Sequence, residues 1–174
     1  MDQFDTLDYL KAGNELQRRS YDVLTTHTVF DKLAGFTPVL VGTIPIDIAI
    51  ASSDLDIVCC WNVKEDFIEV LKHSFSGYPG FTWCNTVING EDTVIANFFA
   101  DGFEIEIFGQ HLPVKEQNGY RHMLIEYQIL QEKGSAFRDK IIDLKSTGMK
   151  TEPAFAKLLH IEGDPYLGLL NYKK

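Results

Sequence analysis

Residues 41–59 read VGTIPIDIAIASSDLDIVC, opening on a Gly-Thr pair after the apolar Val39-Leu40-Val41 and closing on two carboxylates that alternate with branched apolar residues. On a strand, side chains two apart share a face, so Asp54 and Asp56 point together while Leu55 and Ile57 turn to a core. Like charges this close repel and lose solvation, which a cation between them relieves. Hard divalent cations such as Mg²⁺ take carboxylate oxygens, with substrate phosphates completing the shell. A solvated strand face is the other reading of the same pair. At the front of the stretch, Gly42 lets backbone approach a ligand closely. The amides that follow it, with the Thr43 hydroxyl, can cradle a phosphate.

The spacing runs from an apolar residue through Gly42 and Thr43, over ten residues from Ile44 to Ser53, to Asp54-Leu55-Asp56-Ile57. It resembles the signature of the polymerase-beta-like nucleotidyltransferase superfamily, in which Ser or Gly usually stands where this chain has Thr43. The threonine keeps the hydroxyl and adds a methyl. The resemblance implies that Asp54 and Asp56 hold Mg²⁺ or Mn²⁺ and that Gly42 and Thr43 bind the β,γ-phosphates of an NTP.

Two-metal phosphoryl chemistry calls for a third carboxylate from another strand, to help place the metals and to accept the nucleophile's proton. Phe103-Glu104-Ile105-Glu106-Ile107 supplies one, with Glu104 and Glu106 on one face and the apolar residues on the other. A solvent-facing hairpin is the alternative. The superfamily resemblance implies that one of these glutamates fills the third place, usually an Asp; Glu106, leading into Phe108-Gly109-Gln110, is the expected one, with Glu104 as a further metal candidate. Over nearly the whole chain, the strings VGTIPIDI, SDLDIVC, IEIFGQ, YRHM and LKSTGMKTEPAFA are similar to a bacterial nucleotidyltransferase-like family, a domain of unknown function.

Composition narrows the partners. The 174 residues suffice for one domain with a sizeable core, and 45% hydrophobic with 24% charged residues is ordinary for a globular chain. The net charge of −9, from 16 basic and 25 acidic residues, argues against a long nucleic acid as partner, since phosphate backbones are gripped by basic patches. A local basic pocket for one triphosphate is compatible with it. No apolar run reaches the length of a membrane span, and MDQFDTLDYLK lacks the basic and apolar regions of a secretory leader, so a cytoplasmic location is expected. The three cysteines form neither a disulfide framework nor a zinc spacing and read as buried, reduced thiols.

The remaining segments place this stretch in a sheet. Asn14 and Gln17 form a capping-box pattern for a helix carrying Leu16, Val23, Leu24, Phe30 and Leu33 up to Gly35. A strand is expected from Pro38 to Thr43, and an amphipathic helix over 63–75, with Phe67, Leu71 and Phe75 stacked at i, i+4. Strands are expected over 81–88, 93–100 and 103–109, joined by Asn89-Gly90 and Asp101-Gly102, strong hairpin signals. Helices follow over 118–132, 135–147, 152–160 and 165–171, with Ser135, Thr151 and Asp164-Pro165 as N-terminal signals. The fold class is α/β (α+β): a small mixed or antiparallel sheet of the polymerase-beta nucleotidyltransferase type flanked by N- and C-terminal helices. One domain over 1–174 is expected, with the sheet core at about 36–112 and a helical part at about 113–174.

Lys115, Arg121 and His122, just after the glutamate strand at the entry of a helix, are candidates to meet a triphosphate or the acceptor; surface charge on an amphipathic helix is the competing reading. His122 with Glu126 at i, i+4 also reads as an ion pair. Lys145 and Lys150 flank Gly148 near a helix end, where basic residues are favoured in any case.

These observations lead to an expected metal-dependent nucleotidyltransferase that moves a nucleoside monophosphate from an NTP to a small-molecule or protein acceptor. Its catalytic set is Asp54, Asp56 and Glu106, with Mg²⁺ or Mn²⁺ as cofactor. A non-catalytic relative that binds a nucleotide or a partner, and a metal-dependent phosphohydrolase using the same carboxylates, are the alternatives.

Overall fold

In a computed structural model, which describes residues 3–172, five strands form one mixed sheet in the order β1-β2-β5-β4-β3. They are β1 (Val39–Val41), β2 (Leu55–Cys60), β3 (Thr82–Ile88), β4 (Glu91–Ala100) and β5 (Phe103–Gln110). Only β2 and β5 run parallel; the other neighbours are antiparallel. The two hairpins form where expected. Asn89-Gly90 and Asp101-Gly102 all have positive φ, as a tight turn matched to strand twist requires.

Alternation along the strands sorts side chains to two cores. Leu55, Ile57, Ile105 and Ile107 face one layer, made with α1 (Glu15–Thr26), α2 (Val29–Lys32) and α3 (Lys64–Phe75). Val41 and Val58 face the other, with Phe108 packed at its border. That second layer is made with α4 (Asn118–Lys133), α5 (Ser135–Ser146), α6 (Thr151–Leu159) and α7 (Pro165–Leu170). Phe67, Leu71 and Phe75 of α3 are fully buried, as their spacing predicts.

Several local expectations need correction. The Asn14–Gln17 capping box is present, but the N-terminal helix breaks after α1, and Thr28 adopts a left-handed conformation before α2. The break lies in a run of β-branched threonines, and His27 there bonds Tyr78 and Asp101. Ser135 and Thr151 lie inside their helices and cap nothing, whereas Asp164 accepts from the Leu167 amide with Pro165 at the first helical turn. Cys84 is exposed, because both faces of the outer strand β3 lie uncovered, and Cys60 is half-buried, while Cys59 is buried. No helix among the described residues is long and apolar enough to cross a membrane.

Candidate active site

The sheet register fixes the centre of the site. Asp56 lies opposite Val41 on β1 and opposite Glu106 on the parallel neighbour β5. Asn97 of β4 is the next residue across and donates a hydrogen bond from Nδ2 to Glu106 Oε2 at 3.3 Å. Asp54 precedes β2 by one residue, so it is carried by the end of the loop rather than by the strand. Like Asp56 and Glu106, it lines a cavity of about 400 Å³ between this sheet face and helices α4 to α6.

The loop from Gly42 to Asp54 is held from both sides. Gln17 of α1 donates to the carbonyls of Ile44 and Pro45, and Asn14 and Arg138 both bond the Asp47 carboxylate. Inside the loop, Ser53 receives the Ile50 amide and the Thr43 hydroxyl. Gly42 has φ +80°, and a Cβ there would overlap Asp56 Oδ2. The positive φ favours glycine at the turn beside the carboxylate, and Gly42 and Thr43 both line the cavity.

The electrostatics are those of crowded carboxylates. Burial pushes Asp56 up to about 8, and the neighbouring Asp54, Glu106 and Glu152 push in the same direction against Lys145. Glu106 is raised by burial and by Asp54 and Glu104, opposed by the Asn97 hydrogen bond. The oxygen-only donor set and its excess negative charge suit a hard divalent cation. Even so, among the described residues no three His, Cys, Asp or Glu side chains are already gathered closely enough to hold one. The expected ligand set of Asp54, Asp56, Glu106 and Glu104 is thus not assembled. Asp54, Asp56 and Glu106 reach the same cavity from a loop end and two strands, whereas Glu104 is exposed and does not line it.

The helical candidates divide. His122 lines the cavity, but its Nδ1 meets Glu152 Oε1 at 3.1 Å instead of pairing with Glu126. Arg121 is exposed and bonds Asn118 on the first turn of α4. Lys115 lies in a short 3-10 turn and pairs with Asp5 at 2.9 Å, away from the cavity. A helix turns successive residues by 100°, so His122 faces the sheet while Arg121 does not. The wall contains charged residues whose role the sequence left open or unmarked: Glu126 on α4, Lys145 on α5, Lys150, and Glu152 on α6. Lys145 donates to the Ile48 carbonyl at 2.8 Å, and burial lowers it to about 8 against the pull of Glu126, Asp54, Glu152 and Asp56. The available signal was a charge on an apolar stripe: Glu126 falls among Met123, Ile129 and Leu130, and Lys145 one turn after Ile141.

A sequence-family model described as a domain of unknown function, DUF4269, matches residues 22–172. The chain belongs to this family. None of the curated proteins matches it. Among solved structures, the Cid1 RNA terminal uridylyl transferase superimposes with a TM-score of 0.54 at 11% identity, over 80% of this chain and 45% of its own. The GLD-2/RNP-8 complex gives 0.54 at 12% identity, over 88% and 61%. Cid1 poly(U) polymerase bound to Mg 3′-dATP gives 0.54 at 13%, over 89% and 47%. The DUF4269 chain thus spans about half the length of these structures, from 45% to 61%. Its fold is nucleotidyltransferase-like.

Proposed function

We propose that this DUF4269 protein, read as one domain over 1–174, is a metal-dependent nucleotidyltransferase that moves a nucleoside monophosphate from an NTP to a small-molecule or protein acceptor. The observation that carries the reading is the meeting of Asp56 and Glu106 as register partners on parallel strands, in one cavity with Asp54 and the Gly42-Thr43 turn. Asp54, Asp56 and Glu106 would hold Mg²⁺ or Mn²⁺, with Glu104 outside the cavity mouth contributing charge at most. The bound cation would supply charge neutralisation at the phosphoryl oxygens.

Gly42 and Thr43 bind the β,γ-phosphates through backbone amides and the Thr43 hydroxyl, which turns from Ser53 to donate to the phosphate, and Lys145 and Lys150 face the same space with positive charge. Glu106, kept in place by Asn97, accepts the proton of the acceptor hydroxyl as its oxygen bonds to the α-phosphorus and the bond to the β-phosphate oxygen breaks. Pyrophosphate leaves. Catalysis of this kind rests on positioning and electrostatics rather than covalent chemistry. The carboxylates of the cavity and the net charge of −9 argue against a long nucleic acid as acceptor and leave a small molecule or a protein side chain. Cid1, by contrast, is described as acting on RNA termini.

The glutamate at position 106, where the superfamily resemblance expects an aspartate, supports a second reading, a relative that binds a nucleotide without turnover. Titrating ATP with and without Mg²⁺, and reading pyrophosphate release with each NTP, tests both. Mg²⁺-dependent binding with pyrophosphate release supports the enzyme, and binding without release supports the relative. Binding indifferent to Mg²⁺ and to Asp56→Asn removes both.

A further inference from the structure

The nucleotide reading leaves one buried carboxyl without a task. Asp54, Asp56 and Glu106 on the sheet side are assigned to the cation, and Lys145 and Lys150 to phosphates. Glu152 is engaged by His122. Glu126 remains. It is 3% exposed, lines the cavity, and has no hydrogen-bonding or ion-pair partner among the described residues. Burial holds its carboxyl well above the ordinary range, with Glu152 adding to the effect and Lys145 opposing it. A buried carboxyl without a partner costs stability, and four turns of apolar helix packing would accept a leucine there more cheaply. Next to it, His122 Nε2 is also buried and unpartnered. The helical wall therefore presents unmatched polar groups to the cavity opposite the carboxylate strands.

We propose that Glu126 anchors an ammonium group of the acceptor, so that the acceptor is a small molecule carrying an amine as well as the hydroxyl that is nucleotidylated. This inference rests on the nucleotidyltransferase reading for the hydroxyl, but the cation site itself does not require turnover. Chemical complementarity favours it: an amine that takes up the Glu126 proton pairs, as an ammonium, with the carboxylate left behind, whereas the charge of Lys145 reaches Glu126 without an ion-pair contact and its ammonium is held by the Ile48 carbonyl. A hydrogen-bonded charge pair in such a site also discriminates strongly against an acceptor that lacks the amine.

The test is calorimetric titration of the intact protein with ethanolamine, glucosamine and spermidine, each beside a neutral counterpart (ethylene glycol, glucose, glycerol). Wild type should bind at least one of the amines and its neutral counterpart at least roughly tenfold more weakly; Glu126→Gln should weaken the amine by a similar factor. Glu126→Leu, which removes the buried carboxyl, provides a second folded variant and should bind no amine. Equal binding of amine and neutral counterpart, unchanged amine binding in Glu126→Gln, or no binding by any amine overturns the proposal. Mg-ATP titration of the same preparations judges the nucleotide reading separately. Amine binding that depends on Glu126 in a protein indifferent to Mg-ATP would keep the cation site and remove the transferase. Mg-ATP binding with amine indifference would do the reverse.

Discussion

Gly42 and Asp56 approach so closely across the β1–β2 edge that a Cβ at residue 42 would overlap the Asp56 carboxylate. The same glycine has φ +80°, a conformation that side-chain-bearing residues rarely adopt. Two independent constraints, one steric and one conformational, thus keep the turn open beside the carboxylate.

Gly42→Ala should for this reason act on fold and site together. Left-handed backbone strain and the displaced carboxylate should cost about 1–3 kcal/mol in urea denaturation. The stabilisation that Mg-ATP gives to wild type should shrink as well. A variant of full stability with an unaltered Mg-ATP response would show that the close approach is unimportant.

Asp56 makes stability depend on pH. Unfolded, it ionises near 3.8; folded, it keeps its proton to about 8. Below pH 3.8 both states are protonated and the folded state bears no penalty. As pH rises through that window the unfolded chain releases the proton first, so stability falls until the folded group also ionises. In the presence of a chelator, Asp56→Asn should match wild type near pH 4 and exceed it near pH 8, by on the order of a few kcal/mol in urea denaturation. Mg²⁺ should narrow the gap at pH 8 by favouring the ionised carboxylate. A difference between the two proteins that does not change with pH would contradict the buried, uncompensated placement.

The legible part of this site was strand-borne. Alternation of charged and apolar residues placed Asp56 and Glu106 on one face, the Asn89-Gly90 turn set the β3–β4 hairpin, and the Asp101-Gly102 turn set the hairpin that brings β5 back beside β4. What linear periodicity does not carry is which strands become neighbours. The parallel β2–β5 pairing, with α3 and two strands between them in sequence, is a tertiary choice that sets Asp56 against Glu106. The helical wall was harder to read for a different reason. Glu126, Lys145 and Glu152 come from three helices, and each alone looks like one charge on an amphipathic surface. Lys115 misled because proximity in sequence to β5 does not survive the short 3-10 turn that points it to Asp5.

Lys145 should separate stability from ligand binding. Burial already lowers it to about 8, so its charge is a burden to the fold despite the carboxylates around it. Lys145→Met keeps the aliphatic stem and removes the charge together with the bond to the Ile48 carbonyl. Stability at pH 7 should fall by no more than about 1 kcal/mol, the worth of that hydrogen bond. Mg-ATP affinity should fall by about tenfold if the ammonium meets phosphate. A large loss of stability with unchanged Mg-ATP affinity would make Lys145 a structural residue instead.

The last prediction separates catalysis from binding, and it turns on Glu106. Asp54 and Asp56 serve an enzyme and a binding relative alike, since either uses a cation to hold a triphosphate. A base contributes only when the acceptor's proton is transferred, in the transition state and not in the ground state. Glu106→Gln keeps the side chain's size and its place beside Asn97 while removing charge and basicity. Mg-ATP affinity should fall by about tenfold, and pyrophosphate release by about 100-fold or more. Glu104→Gln should do much less, because that residue is exposed, outside the cavity, and acts on Glu106 only through its charge. If Glu104→Gln proves the more damaging change, the third carboxylate lies one strand repeat earlier than the cavity suggests. If neither change alters a measurable pyrophosphate release, the proton of the acceptor goes elsewhere, and Glu106 is a ligand of the cation at most.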